Sequence, residues 1–110
     1  MKTIELIRSR EPIMLKNGSS HKLIRKPWGY EIWFAQNDKY AGKILHIHKG
    51  SRLSLQYHKI KHETMYLSSG LCYLTINDSI SKMKPGDSQE IKPGTIHRLE
   101  AIEESELFEI

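Results

Sequence analysis

Side chains that can bind a metal ion are concentrated in residues 50–63, which read GSRLSLQYHKIKHE. Four of them offer a nitrogen or an oxygen ligand: Gln56, His58, His62 and Glu63. Imidazole, carboxylate and carboxamide ligands together suit a borderline divalent ion such as zinc, iron(II), manganese, nickel or cobalt. Taken without their spacing, the same residues could also form the solvent-facing side and the turn of an ordinary strand.

Strand geometry selects among these side chains. Because alternate residues of a strand share a face, Gln56 and His58 would point toward one ion. The apolar side chains of the stretch would point the other way: Leu53, Leu55 and Tyr57. Glu63 follows a short loop, after which a return strand could bring it alongside, whereas its neighbour His62 would point away. His97 lies far along the chain, and a closed barrel could place it next to the same ion.

The elements that must position these residues are short strands. Turn sequences such as Asn77-Asp78 and Pro85-Gly86-Asp87 recur about every eight to twelve residues, a spacing typical of β-sandwiches and barrels. Between the turns we predict strands at 29–36, 40–48, 52–58, 63–68, 71–76, 88–91, 96–101 and 106–110. The pattern predicts an all-β sandwich or barrel. The 110 residues suffice for one domain, expected at residues 21–110 after an N-terminal arm at 1–20.

Composition narrows the function classes. With 38% hydrophobic and 27% charged residues the chain reads as an ordinary globular protein. No apolar run approaches the roughly 20 residues of a membrane span, so no membrane partner is predicted. The single cysteine, Cys72, excludes an intramolecular disulfide, and without a visible secretion signal we expect a cytoplasmic protein. The net charge of +4 is spread without interleaved aromatic residues, so no nucleic-acid partner is expected.

The spacing of the candidate ligands resembles a known pattern. From residue 50 to residue 70 the chain reads G-x5-Q-x-H-x4-E-x6-G, which resembles the first cupin motif with glutamine in place of its first histidine. Residues 86–97, from Gly86 through Gly94 to His97, resemble the second motif. Segments KPWGYE, RLSLQYH and GTIHRLE narrow the resemblance, over about residues 22–110, to the type II mannose-6-phosphate isomerase family.

This resemblance implies a cupin double-stranded β-helix, a jelly-roll barrel of two facing antiparallel sheets. It also implies one divalent metal ion, usually zinc, held by four side chains: Gln56, His58, Glu63 and His97. The implied activity is the interconversion of an aldose and a ketose sugar phosphate, such as mannose 6-phosphate and fructose 6-phosphate. A small-molecule sugar phosphate is therefore the expected partner.

Two alternatives stay open at this point. The loop KIKH at 59–62 and Ala101 depart from the family pattern, and the acidic segment usual in the family would lie beyond Ile110. These departures leave room for a non-catalytic cupin that binds a metal and a sugar. Another metal-dependent cupin enzyme, such as an oxygenase, is the second alternative.

Two cations are the candidate catalytic residues. Arg98 directly follows His97, and its planar fork suits a phosphate or an enediolate. Lys43 either lines the barrel, where it would need a ligand or a carboxylate, or lies on the surface. His46 and His48 share a face and could form a second metal pair, but we interpret them as exposed or dimer-facing strand histidines.

A homodimer is also expected. An apolar sheet face containing Leu53, Leu55 and Tyr57 would meet a second copy. The arm carries Ile4, Leu6 and Ile7, which could add a strand to the neighbour.

Overall fold

The computed structural model describes residue 15 and residues 21–110. In this part of the chain nine strands form: β1 (Lys22–Lys26), β2 (Gly29–Gln36), β3 (Ala41–Ile47), β4 (Glu63–Ser69), β5 (Cys72–Ile76), β6 (Ser79–Met83), β7 (Ser88–Ile91), β8 (His97–Ala101) and β9 (Ser105–Glu109). The predicted all-β single domain is confirmed. Across residues 15 and 21–110 no helix has the length and apolar character needed to cross a membrane. The arm predicted at 1–20, with its strand exchange, falls almost entirely outside the described residues.

Two antiparallel sheets pack face to face. The larger has the order β1-β2-β3-β9-β4-β7 and the smaller the order β6-β5-β8. Strands alternate between buried and more exposed residues, most clearly in β8 and β9. The buried residues of both sheets form one apolar core, in which the largest fully buried side chains are Ile47, Leu67, Leu74, Ile91, Leu99 and Leu107.

The strand predicted at 52–58 is wrong, and the reason bears on the site. This segment pairs with β8 only through isolated bridges, Arg52 opposite Glu100 and Gln56 opposite His97. Four residue steps on one side therefore face three on the other, so the segment carries one extra residue, as in a β-bulge. The extra residue reverses the alternation between the two bridges.

The reversal corrects the predicted faces. Leu53 is buried at 8% exposure and lines the same cavity as Gln56 and His58, although strict alternation had placed it opposite them. Leu55 and Tyr57 do point outward, with 53% and 56% of their surface exposed. The apolar patch proposed for dimer contact therefore loses Leu53 to the core.

Candidate metal centre

One cavity of about 120 Å³ opens between the two sheets. Its apolar wall is formed by Leu45, Leu53, Met65 and Leu99. Its polar wall is formed by Glu31, Lys43, Gln56, His58, Lys61, Glu63, His97 and Glu109. The four side chains predicted to bind the metal thus line a single cavity, although they come from an irregular segment, two strands and two distant parts of the sequence.

His97 is oriented by the backbone around it. Its main chain exchanges two hydrogen bonds with Gln56, of 3.0 and 2.8 Å, which fix the start of β8 against the irregular segment. Its ring Nδ1 lies 2.9 Å from the carbonyl oxygen of Thr95. Because a carbonyl can only accept, Nδ1 carries the hydrogen, and Nε2 is the ring nitrogen that faces the cavity and could bind an ion. Nε2 lies 3.4 Å from Glu63 Oε1.

His58, Glu63 and His97 form a compact set of donors. Each offers one ligand atom, and these atoms lie within 4.8 Å of one another. One ion with bonds of about 2.0–2.2 Å could bind all three after small side-chain adjustments. Burial lowers the pKa of His58, with Lys61 and His97 adding to the shift and Glu63 opposing it. The lowered pKa favours the neutral imidazole, which is the form that binds a metal.

Two buried carboxylates share one lysine. Lys61 Nζ lies 2.9 Å from Glu63 Oε2 and 3.1 Å from Glu109 Oε1. Burial alone would raise the pKa of Glu63, but its hydrogen bond and ion pair with Lys61 hold that pKa below its usual value. Burial and the charge of Glu63 raise the pKa of Glu109. The Lys61 side chain is 40% exposed, so it could turn toward solvent if a divalent ion took over its role.

The chemistry of the donor set fits a divalent ion. Two imidazoles and a carboxylate are typical zinc ligands, and a carboxamide oxygen can complete the set. The amide nitrogen of Gln56 donates to the Ser54 carbonyl over 3.4 Å, which leaves its Oε1 available as an acceptor. His62 pairs instead with Glu90, at 2.8 Å, on the exposed side of the loop, in keeping with its omission from the predicted ligands.

The two candidate catalytic cations are placed differently. Lys43 lies on the inner face of β3, where its Nζ is 3.9 Å from Glu31 Oε1 and 4.6 Å from the ring centre of Trp33. Arg98 sits between His97 and Leu99, both of which point inward, so its own side chain points to the outer face of β8. The structure therefore brings Lys43 to the cavity and does not bring Arg98 there.

Sequence reasoning missed three polar residues of the cavity: Glu31, Lys61 and Glu109. A signal for Glu109 exists, because it lies two residues after Leu107 in a strand whose buried positions alternate. Lys61 lies in a polar loop without a period, and nothing in its spacing distinguishes it from Lys59.

Comparison with known proteins identifies the family. The sequence profile described as "Mannose-6-phosphate isomerase C-terminal" matches residues 15–109. This chain belongs to that family. A curated relative of the mannose-6-phosphate isomerase C-terminal domain, the mannose-1-phosphate guanylyltransferase of Sinorhizobium fredii, is 29% identical over 79 residues. The match covers 72% of this chain and only 15% of the relative.

Solved structures show the fold of this mannose-6-phosphate isomerase C-terminal domain. An RmlC-like cupin from Shewanella frigidimarina gives a TM-score of 0.79 at 15% identity, covering 89% of this chain and 88% of the other. An oxalate decarboxylase of Bacillus subtilis gives a TM-score of 0.72 at 22% identity, covering 90% of this chain and 30% of the other. The predicted cupin jelly roll is thus confirmed. The likeness does not extend to activity, since cupins of different function share this barrel.

Proposed function

We propose that this protein is a metal-dependent sugar-phosphate isomerase that interconverts an aldose and a ketose phosphate, with mannose 6-phosphate as the first substrate to test. The observation that supports it is the convergence of four side chains on one cavity of a domain of this family: Gln56, His58, Glu63 and His97. Zinc is the first ion to test in this site, because imidazole and carboxylate ligands suit it.

These four side chains would hold the ion. When bound, a divalent ion supplies Lewis-acid polarisation of substrate oxygens. The chain itself would orient the ligands. The Thr95 carbonyl fixes the ring of His97, and two backbone hydrogen bonds between Gln56 and His97 keep these two residues opposite each other.

An anionic substrate suits the charges at the cavity. Lys43 and Lys61 both line it, and each already faces a carboxylate that it could exchange for a phosphate or a sugar oxygen. A volume of about 120 Å³ is below the approximately 300–1,000 Å³ of common small-molecule pockets. The cavity would therefore take the reacting end of an open-chain sugar, with the phosphate at its mouth.

Isomerisation also needs a group that moves a proton between C1 and C2 of the sugar. Glu109 lines the cavity, is 8% exposed and lies outside the proposed ligand set. Burial and the charge of Glu63 raise its pKa, which is the direction expected of a carboxylate that accepts and returns a proton. We assign this role to Glu109 and give Lys43 the stabilisation of negative charge on the substrate oxygens.

The direct test is to incubate the full chain with mannose 6-phosphate and zinc or cobalt and to follow fructose 6-phosphate. We expect turnover that is lost in His58→Ala and kept in His62→Ala, whose histidine faces away from the cavity. Glu109→Gln should lower kcat about 10²–10⁴-fold with metal content unchanged, while Glu100→Gln on the outer face of β8 should not. Absence of turnover with several hexose and pentose phosphates would overturn the proposal, and sugar-phosphate binding without product would identify a binding module.

A further inference from the structure

A second cluster of ligand-type side chains lies on the opposite side of β3 from the cavity. His46 is on the outer face of that strand, because its neighbours Leu45 and Ile47 are buried in the core. His48 follows the end of β3. Glu104 comes from the turn between β8 and β9, more than fifty residues away in sequence.

The three side chains meet at one oxygen atom. Glu104 Oε2 lies 2.6 Å from His46 Nε2 and 2.8 Å from His48 Nδ1. The ligand atoms of all three residues lie within 4.8 Å of one another. Two imidazoles and one carboxylate are the donors found in many zinc sites and in other sites for first-row divalent metals.

Each of two ligands is also held by a contact away from the meeting point. The other oxygen of Glu104 accepts a 2.8 Å hydrogen bond from the Lys49 N–H. The ring of His46 stacks on Tyr30, with 4.8 Å between the ring centres and 3° between the planes. These contacts fix the carboxylate and the imidazole in orientations that direct one donor atom of each to the same point.

The far side of His46 provides a further observation. Its Nδ1 is buried and has no hydrogen-bond partner within the part of the chain that the structure describes. Glu106 Oε2 lies 3.7 Å from it. A small movement would let Nδ1–H donate to Glu106, which would leave Nε2 as the lone-pair donor. Such a carboxylate–histidine–metal arrangement is the usual support of a metal-binding imidazole.

We propose that His46, His48 and Glu104 form a second divalent-metal site, selective for ions that favour imidazole, such as zinc, nickel or copper(II). The ion would take the place of the hydrogens that now lie between Glu104 Oε2 and the two imidazoles. It would thereby link the end of β3 to the β8–β9 turn. Because it closes a loop of more than fifty residues, its effect would be to stabilise the folded barrel. This assignment departs from the interpretation of His46 and His48 as exposed or dimer-facing strand histidines, which could not anticipate Glu104.

The experiment is a zinc titration of the full chain by calorimetry in a weakly coordinating buffer, with elemental analysis of the dialysed protein. The first variant is His58→Ala, in which the cavity site is removed. We expect it to retain one zinc equivalent, and we expect that equivalent to weaken at least tenfold when His48→Ala or Glu104→Gln is added. His62→Ala is the matched control, because His62 forms a 2.8 Å pair with Glu90, and no third ligand joins this pair among residues 21–110.

Thermal unfolding provides a second reading. Zinc should raise the Tm of His58→Ala and have no such effect once His48→Gln is also present. His48→Gln is a milder change that keeps the folded state available if His48→Ala does not fold. The proposal is overturned if His58→Ala binds no zinc, or if its zinc affinity stays the same when the His48 and Glu104 substitutions are added. The cluster would then be a hydrogen-bonded ion pair only. Both results are independent of the proposed cavity site, because every protein compared carries His58→Ala.

Discussion

At the scale of single residues, the cavity balances its charges through Lys61. Glu63 and Glu109 are 2% and 8% exposed, and leaving two such carboxylates without a cation would be costly. The lysine contacts both, at 2.9 and 3.1 Å, and its own pKa is raised: burial acts against the shift, but the two carboxylates outweigh it. A divalent ion at the proposed site would compete with this lysine for Glu63.

We therefore expect Lys61→Met to lower the stability of the metal-free protein but to increase the stabilisation by zinc. The metal-free variant should lose about 1–2 kcal/mol of unfolding free energy, a reduced figure because the lysine is 40% exposed. The gain in Tm on adding zinc should be larger than in the unsubstituted protein. Lys59→Met, in the same loop, should change neither quantity. Equal zinc effects in the two lysine variants would contradict the competition.

Glu104 gives a prediction about acid stability. Hydrogen bonds from His48, Lys49 N–H and His46 lower the pKa of this carboxyl to about 2. A depressed carboxyl pKa stabilises the fold above its unfolded value of 4.5, and this stabilisation is lost as pH falls from there through about 2. In chelator-treated protein, Glu104→Gln should lower Tm at pH 6 and have little effect near pH 2. Glu103→Gln, its neighbour in the turn, should leave Tm unchanged at both pH values.

Most of the proposed ligand residues could be predicted because they lie close together in the sequence. Gln56, His58 and Glu63 fall within eight consecutive positions, so spacing alone could group them. His97 is far from them in sequence, so it could be added only through a closed barrel or the family resemblance. Glu109 and Glu104 reach their sites through pairing between distant strands, and no local pattern in one sequence encodes that proximity.

At the scale of elements, the bulged segment 52–56 is what aims the ligands. One extra residue opposite β8 turns Gln56 and Leu53 to the same side, so a proposed metal ligand and a core residue face one cavity. Bulges commonly re-aim side chains beside functional sites. An alternating pattern cannot reveal one, which is why a regular strand was predicted here.

The remaining strands differ in how well the sequence predicted them. β2 and β7 have the predicted bounds, 29–36 and 88–91. β1 and β6 were not predicted. β6 and β7 each bury one side chain, Met83 and Ile91, and β1 buries none fully, so none of the three displays the two-residue period by which strands are recognised. The strand at 88–91 was predicted because it follows the turn Pro85-Gly86-Asp87.

Two glycines provide a matched test of the turns. Gly70 and Gly86 both have φ of +96°. A Cβ at Gly70 would collide with Ser105 and Glu104 at the β8–β9 turn, whereas a Cβ at Gly86 would meet nothing within 4 Å. Gly86→Ala should cost about 1–2 kcal/mol from backbone strain alone. Gly70→Ala should cost clearly more in urea unfolding, and equal costs would show that the turn yields to the added methyl group.

At the scale of the whole molecule, the homodimer stays a prediction. The surface predicted for dimer contact has to be revised, because Leu53 belongs to the core. The outer face of the six-stranded sheet offers an aromatic surface, in which Phe108 lies between Phe34 and Tyr66, with ring centres 6.5 and 6.4 Å away. Exposed apolar surfaces of this kind commonly meet a partner, and we expect a second copy of the chain to cover this one.

Light scattering should therefore give twice the chain mass of 12.8 kDa at micromolar concentration. Phe34→Glu should shift the protein toward monomer. Ile80→Glu, at a side chain that is 70% exposed on the smaller sheet, should not. A monomer mass for the unsubstituted chain would refute the dimer.

Anomalous scattering would locate the divalent ion that we propose for the cavity. A crystal grown with zinc at neutral pH, soaked with mannose 6-phosphate and measured at the zinc edge, should show a strong peak in the cavity. The peak should lie about 2.0–2.2 Å from the donor nitrogens of His58 and His97 and a carboxylate oxygen of Glu63, with Gln56 beside it. A folded, zinc-equilibrated crystal with no anomalous peak among these residues would show that they do not form the proposed metal site.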